Sequence, residues 1–141
     1  MQPGRPGTPF KAVPPTGVLC GIAVLVVEDD VATCEALSAA LRQHGAVVVT
    51  AGSVREAQRQ LSAMHDLPLV LVSDIGLPDA DGFTLMRSIR AAGSNMPGIA
   101  VSGSADATAA RGRAAGFATV LAKPVDLPDL VDRIHALALA A

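Results

Sequence analysis

A doubly wound α/β fold, a five-stranded parallel sheet flanked by five helices, is predicted by three observations. Short apolar runs rich in β-branched residues alternate with stretches whose apolar residues recur at helical spacing. Five such pairs fit into about 120 residues, the length of one compact domain. Half of the 141 residues are apolar, yet only three are aromatic, all of them phenylalanine. A core of Val, Leu, Ile and Ala suits strands covered on both faces by helices.

Residues 1–20 are rich in proline and glycine and read as a tail or linker, with the packed domain spanning 21–141. Ile22 to Val27 is an unbroken run of β-formers, as expected of a strand buried on both faces. Val31, Cys34, Leu37, Ala40 and Leu41 follow at helical spacing, and Gly45 stops that helix. Ala46 to Thr50 reads as the second strand. The next helix, Ser53 to Leu61, starts at a serine cap with Glu56 three residues on, the pattern of a capping box. Leu69 to Ser73 is the third strand, followed by a loop rich in Gly, Pro and Asp and a helix from Gly82 to Ala91. Gly98 to Val101 is a short fourth strand. Ala105 to Ala115 is a weak helix interrupted by Gly112, where glycine costs helix stability. Ala118 to Leu121 and Leu127 to Ala138 close the series, with Pro128 in the first helical turn, where its missing N–H is harmless.

Several function classes fall away. The net charge is −2 and the arginines are scattered, so no basic footprint for nucleic acid exists. Cys20 and Cys34 have neither a disulfide framework nor metal-ligand spacing, and reduced, partly buried thiols are expected. The apolar stretch from Gly17 to Val27 runs directly into Glu28, Asp29 and Asp30, without a signal-peptide cleavage pattern. No stretch is long enough to span a bilayer, so a cytoplasmic location is expected. His44, His65 and His135 are placed at the surface or at helix ends, and Met64, Met86 and Met96 in the core or loops.

In an open parallel sheet, ligands bind beyond the carboxyl ends of the strands. Those ends carry Glu28-Asp29, Asp74, Ser102 and Lys123-Pro124, separated by 45, 28 and 21 residues from Asp29 onward. Carboxylates gathered at one rim repel: two unit charges about 5 Å apart cost about 3 kcal/mol at an effective dielectric near 20. A hard divalent cation relieves this, and an all-oxygen site with few carboxylates and room for water suits Mg2+. A carboxylate can also attack phosphorus to give an acyl phosphate, a reaction governed by positioning and charge neutralisation. Metal on Glu28 and Asp29, the Lys123 ammonium and the Ser102 hydroxyl would supply that neutralisation, leaving Asp74 as nucleophile.

Four segments in order resemble the response-regulator receiver domains of two-component signalling, over about residues 21–139. They are VLVVEDD (24–30), VSDIGLPDADGF (72–83), AVSGS (100–104) and LAKPVD (121–126). The resemblance implies the flavodoxin-like receiver fold and Mg2+-dependent phosphorylation of Asp74 by a histidine kinase or phosphotransfer domain. It implies metal ligands Glu28, Asp29, Asp74 and the backbone carbonyl of Gly76. It also implies Ser102 and Lys123 on the phosphoryl group and a cis bond before Pro124. The role is a switch rather than a turnover enzyme, with a downstream protein partner. The chain is expected to be a stand-alone receiver or one cut from a larger protein, such as the C-terminal receiver of a hybrid histidine kinase.

One position departs from the family. An aromatic residue often stands near the end of the fifth strand, and here it is Val120, which reads as an ordinary strand residue. The signal is instead expected to pass through the loop after Ser102, at Gly103 and Ser104. Asp30 is expected to cap the first helix, Asp79 to be a solvated loop residue, and Asp81-Gly82 to start the third helix. Two alternatives stay open. One is a phosphohydrolase with an aspartyl nucleophile, whose usual second acid falls at Gly76 here; the other is a scaffold that binds partners without phosphorylation.

Overall fold

The computed structural model describes residues 17–64 and 69–140. Five strands alternate with five helices: β1 (Ala23–Val27), α1 (Val31–Gln43), β2 (Val47–Ala51), α2 (Val54–Ala63), β3 (Leu69–Asp74), α3 (Gly82–Ala91), β4 (Gly98–Ser102), α4 (Ala105–Ala115), β5 (Thr119–Ala122) and α5 (Leu127–Ala140). All strand pairs are parallel, in the order β2-β1-β3-β4-β5. The sheet is therefore doubly wound, and its winding reverses between β1 and β3. The crevice at that switch point opens beyond Val27 and Asp74, where the acidic residues stand.

Alternation along each strand explains the continuous apolar runs. Val24, Val26, Val70, Val72, Ile99 and Val101 face one core with Leu41, Leu130, Val131 and Ile134 of α1 and α5. Leu25, Val27, Leu71 and Ala100 face the other, with Ala57, Phe83, Met86, Ile89 and Ala115 of α2, α3 and α4. A fully buried side chain such as Leu25 or Leu71 contributes about 2 kcal/mol of hydrophobic stabilisation.

Local sequence sets most helix starts. Asp30 caps α1, its carboxylate accepting from Thr33 N at 2.9 Å. Ser53 caps α2, its hydroxyl accepting from Glu56 N at 3.1 Å, and Glu56 reaches back to Gly52 N at 2.7 Å, one residue before the cap. Asp81 caps α3, accepting from Thr84 N at 2.8 Å.

Three expectations are corrected. Leu19, in the segment assigned to the tail, is fully buried and its N–H donates to His44 O at 2.9 Å, so among the described residues the packed body reaches back before Ile22. Residues 1–16 and His65 lie outside the described residues. Gly112 does not interrupt α4: it sits within the helix, buried, where an added Cβ would lie 2.5 Å from Val120 Cγ2. Lack of a side chain lets α4 seat on β5, and packing outweighs the propensity cost. Cys20 is exposed rather than partly buried, while Cys34 is half-buried, and both are free thiols.

Candidate functional site: an acidic cluster bridged by a lysine

Each candidate side chain is delivered by the end of a strand. Glu28 follows β1, and its N–H donates to Ala51 O at 2.9 Å, so the first carboxylate is fixed to the end of β2. Its side chain is buried, with Oε2 accepting from Asp30 N at 3.1 Å and Oε1 from Lys123 Nζ at 3.3 Å. Burial, helped by the charge of Asp74, pushes the Glu28 carboxyl above its ordinary pKa, although the Asp30 N–H and the Lys123 ammonium pull the other way. Asp74 ends β3, half-buried, with Oδ2 accepting from Lys123 Nζ at 2.9 Å and Oδ1 from Gly76 N at 3.3 Å. Asp29 is exposed, and one carboxylate oxygen from each of Glu28, Asp29 and Asp74 lies within 4.8 Å of the others.

Lys123 extends from the end of β5 and bridges two of the three carboxylates. Partial burial disfavours its charge, but the hydrogen bond and charge of Asp74, with the charge of Glu28, outweigh that and raise its pKa. The Lys123–Pro124 peptide is cis. Ser102, at the end of β4, is buried, and its carbonyl accepts from Lys123 N at 2.9 Å. Its hydroxyl oxygen accepts from Ser104 N at 3.0 Å, leaving the hydroxyl proton for another acceptor. Among the described residues it makes no hydrogen bond to Asp74. Glu28, Asp29, Asp74 and Lys123 are thus brought together, and Ser102 stands on the same rim, turned toward its own loop.

The donor set fits a hard cation. It is all oxygen, it gathers negative charge that one ammonium only partly offsets, and Asp29 keeps it open to water. Mg2+ would be held by Glu28, Asp29 and Asp74, with the Gly76 carbonyl as the expected backbone ligand.

Asp79 is an exposed loop residue, as the sequence suggests, but its carboxylate also has a structural task. Its Oδ1 accepts from Val54 N and its Oδ2 from Arg55 N, both at 2.9 Å, so the β3–α3 loop caps α2 from outside. Those two N–H groups hold the Asp79 carboxyl below the ordinary range. No local pattern announces this, because the partners are 25 and 24 residues away. Gly82 has a second reason to be glycine besides starting α3. An added Cβ would lie 2.5 Å from the backbone oxygen of Asp74, so the helix start rests against the candidate acceptor strand. Ser73, buried beside Asp74, satisfies its hydroxyl by donating to Asp74 O at 2.8 Å.

An open parallel sheet with three carboxylates and a lysine gathered at its carboxyl rim defines the class: a small doubly wound α/β domain with an acidic cluster at its switch point. Residues 24–135 match the response regulator receiver domain. The chain is 36% identical over 127 residues to an uncharacterised 14.6 kDa protein from the sodA1 3′ region of Leptolyngbya boryana, covering 86% of this chain and 94% of that one. It is 33% identical over 114 residues to the cell cycle transcriptional regulator CtrA of Caulobacter vibrioides, covering 80% of this chain and 48% of that protein. Against the transcriptional regulatory protein PrrA of Mycobacterium tuberculosis the identity is 38% over 116 residues, with 81% and 48% covered. The chain therefore spans about half the length of these two regulators. Among solved structures, the receiver domain of the Francisella response regulator 1452 superposes with a TM-score of 0.76 at 25% identity, covering 84% of this chain and 97% of that one. The beryllofluoride-activated NtrC4 receiver domain gives 0.75 at 29%, covering 84% and 98%. The chain belongs to the response regulator receiver domain family. No helix among the described residues is long and apolar enough to cross a membrane.

Proposed function

We propose that Asp74 is the phosphoacceptor of this receiver domain, taking a phosphoryl group from the phosphohistidine of a histidine kinase or phosphotransfer domain in the cytoplasm. The observation that carries the reading is the Lys123 ammonium, 2.9 Å from Asp74 Oδ2, inside a cluster of three carboxylates that share a 4.8 Å space. Mg2+ bound by Glu28, Asp29, Asp74 and the Gly76 carbonyl would supply positive charge against the phosphoryl oxygens. The chain's own groups do the rest. An Asp74 oxygen attacks phosphorus in line; the new P–O bond forms as the P–N bond to imidazole breaks, and the electron pair returns to the ring nitrogen. Lys123, already on Asp74, neutralises charge on the incoming oxygens. The buried Ser102 hydroxyl donates a hydrogen bond to a phosphoryl oxygen.

Movement of Ser102 toward the phosphoryl group would pull on Ser104 N and hence on the start of α4. Val120 cannot swing a ring, and it rests against Gly112 of α4, so the loop through Gly103 and Ser104 is the route out. The result is a switch on the face around α4 and α5 for a protein partner, not a turnover enzyme. The phosphohydrolase alternative lacks its second acid, since Gly76 occupies that position.

Incubation with acetyl phosphate and Mg2+ should add one phosphoryl mass to the intact protein, and Asp74→Asn should abolish the addition. Undiminished labelling of that variant would overturn the assignment.

A further inference from the structure

The acidic cluster is assembled from two parts of the chain: Glu28 and Asp29 after β1, and Asp74 with Gly76 after β3. The loop from Ile75 to Asp81 is pinned at its base by Gly82 N donating to Ile75 O at 2.8 Å and by the Gly76–Asp81 bridge. Both contacts are local, confined to the loop and the first residue of α3. Asp79 is different: near the loop's tip, its carboxylate accepts the first two N–H groups of α2, at Val54 and Arg55. Ser53 already takes a third donor of that helix at Glu56 N, so the α2 terminus is satisfied by two separate side chains. From α2 the connections continue to the other half of the cluster. Glu56 accepts from Gly52 N at 2.7 Å, and the adjoining Ala51 O accepts from Glu28 N at 2.9 Å.

From this path, which rests on the reading of the cluster as a cation and phosphoryl site, we infer that Asp79 is a positioning residue that holds the β3–α3 loop against α2 and thereby sets the cluster for its cation. Asp79 touches none of the carboxylates. It acts by fixing the loop that carries Gly76, and an anionic carboxylate suits a helix N-terminus, where two N–H groups and the helix dipole favour negative charge. Ser53 is the comparison residue, since it caps the same helix from its own chain segment and makes no tie to the loop.

The test uses the full chain and three variants: Asp79→Ala, Asp79→Asn and Ser53→Ala. Mg2+ affinity is measured by isothermal titration calorimetry, and amide hydrogen exchange is followed without metal at Val54, Arg55 and Gly76. Asp79→Ala is expected to weaken Mg2+ binding about tenfold, the low end of what losing a group that orients metal ligands costs. Its exchange should quicken at Gly76 as well as at Val54 and Arg55. Asparagine keeps one acceptor oxygen without charge and should restore part of the affinity. Ser53→Ala should leave both Mg2+ affinity and Gly76 exchange unchanged. Wild-type affinity in Asp79→Ala, unchanged Gly76 exchange in that variant, or an equal loss in Ser53→Ala would each overturn the inference. If the wild-type chain binds no Mg2+ while Asp79→Ala still speeds Gly76 exchange, the loop tie stands and the cation reading of the cluster is what fails.

Discussion

The two halves of the sheet's carboxyl rim are held in different ways. Around β1 and β3, polar side chains cross-link the loops: Lys123 bridges Glu28 and Asp74, Asp79 reaches α2, Asp81 caps α3, and Gly82 lies against Asp74 O. Around β4 and α4 the ties are fewer. Ser104, at the start of α4, has φ −128° and ψ 53° and makes no side-chain cap bond, whereas Ser53 at the same place on α2 is extended and does. Helix α4 is held instead by packing, with Gly112 against Val120 and the Arg111 guanidinium 4.4 Å from the centre of the Phe83 ring. Under the proposed function, the difference would separate two tasks. A site that orients a nucleophile and a cation has to be rigid before reaction. A helix that reports the reaction has to move at small cost, and a terminus without a side-chain cap is a place where it can.

The sharpest way to break this contrast is to fill one glycine on each side. Gly82→Ala places a Cβ against the immobile backbone of Asp74, and overpacking of that kind costs about 1–3 kcal/mol. Labelling at Asp74 should fall with it, because either α3 or the acceptor strand has to shift. Gly112→Ala meets a Val120 methyl group rather than backbone, and alanine regains about 1 kcal/mol of helix propensity against that overpacking. Its net loss of stability should be smaller than that of Gly82→Ala. Urea denaturation of both variants decides it, and equal losses would mean that α4 is as firmly placed as the loop.

A smaller effect separates the two cap serines. Ser53→Ala should cost about 1 kcal/mol, and Ser104→Ala no more than a few tenths. A loss at Ser104 as large as that at Ser53 would show that α4 is capped in solution. The smallest expected effect is in pH dependence. Hydrogen bonds from Thr84, the backbone N–H first and then the hydroxyl, together with the nearby charges of Arg87 and Arg111, hold the Asp81 carboxyl below its ordinary range despite partial burial. A depressed carboxylate stabilises the fold above the unfolded value of about 3.9, and that contribution is lost as pH falls through the folded value. Asp81→Asn should therefore flatten the fall in urea midpoint below about pH 4. An unchanged slope would remove Asp81 from the set of acid-sensitive ties.

Much of this was legible beforehand because it is local. The strands are contiguous apolar runs, and Asp30, Ser53 and Asp81 sit immediately before the helices they cap, within reach of N–H groups three residues on. The acidic pair, Asp74, Ser102 and Lys123 each end or follow a strand, so the topology sends them to one rim once the sheet is parallel. Other features had no local mark. Asp79 looks like any loop aspartate, Gly112 like a helix breaker, and Leu19 like part of a proline-rich lead-in.

What the amino-acid order determined by itself was the set of elements, their sequence and the residues at their ends, because periodicity and capping act over three or four residues. What only the tertiary structure decided was which of those ends bear on one another. The partners of Asp79 lie 24 and 25 residues away, and the α4 glycine packs against a neighbouring strand. A hydrogen bond or a close contact of that kind depends on where two segments meet in space, and the local pattern around either residue carries no trace of it.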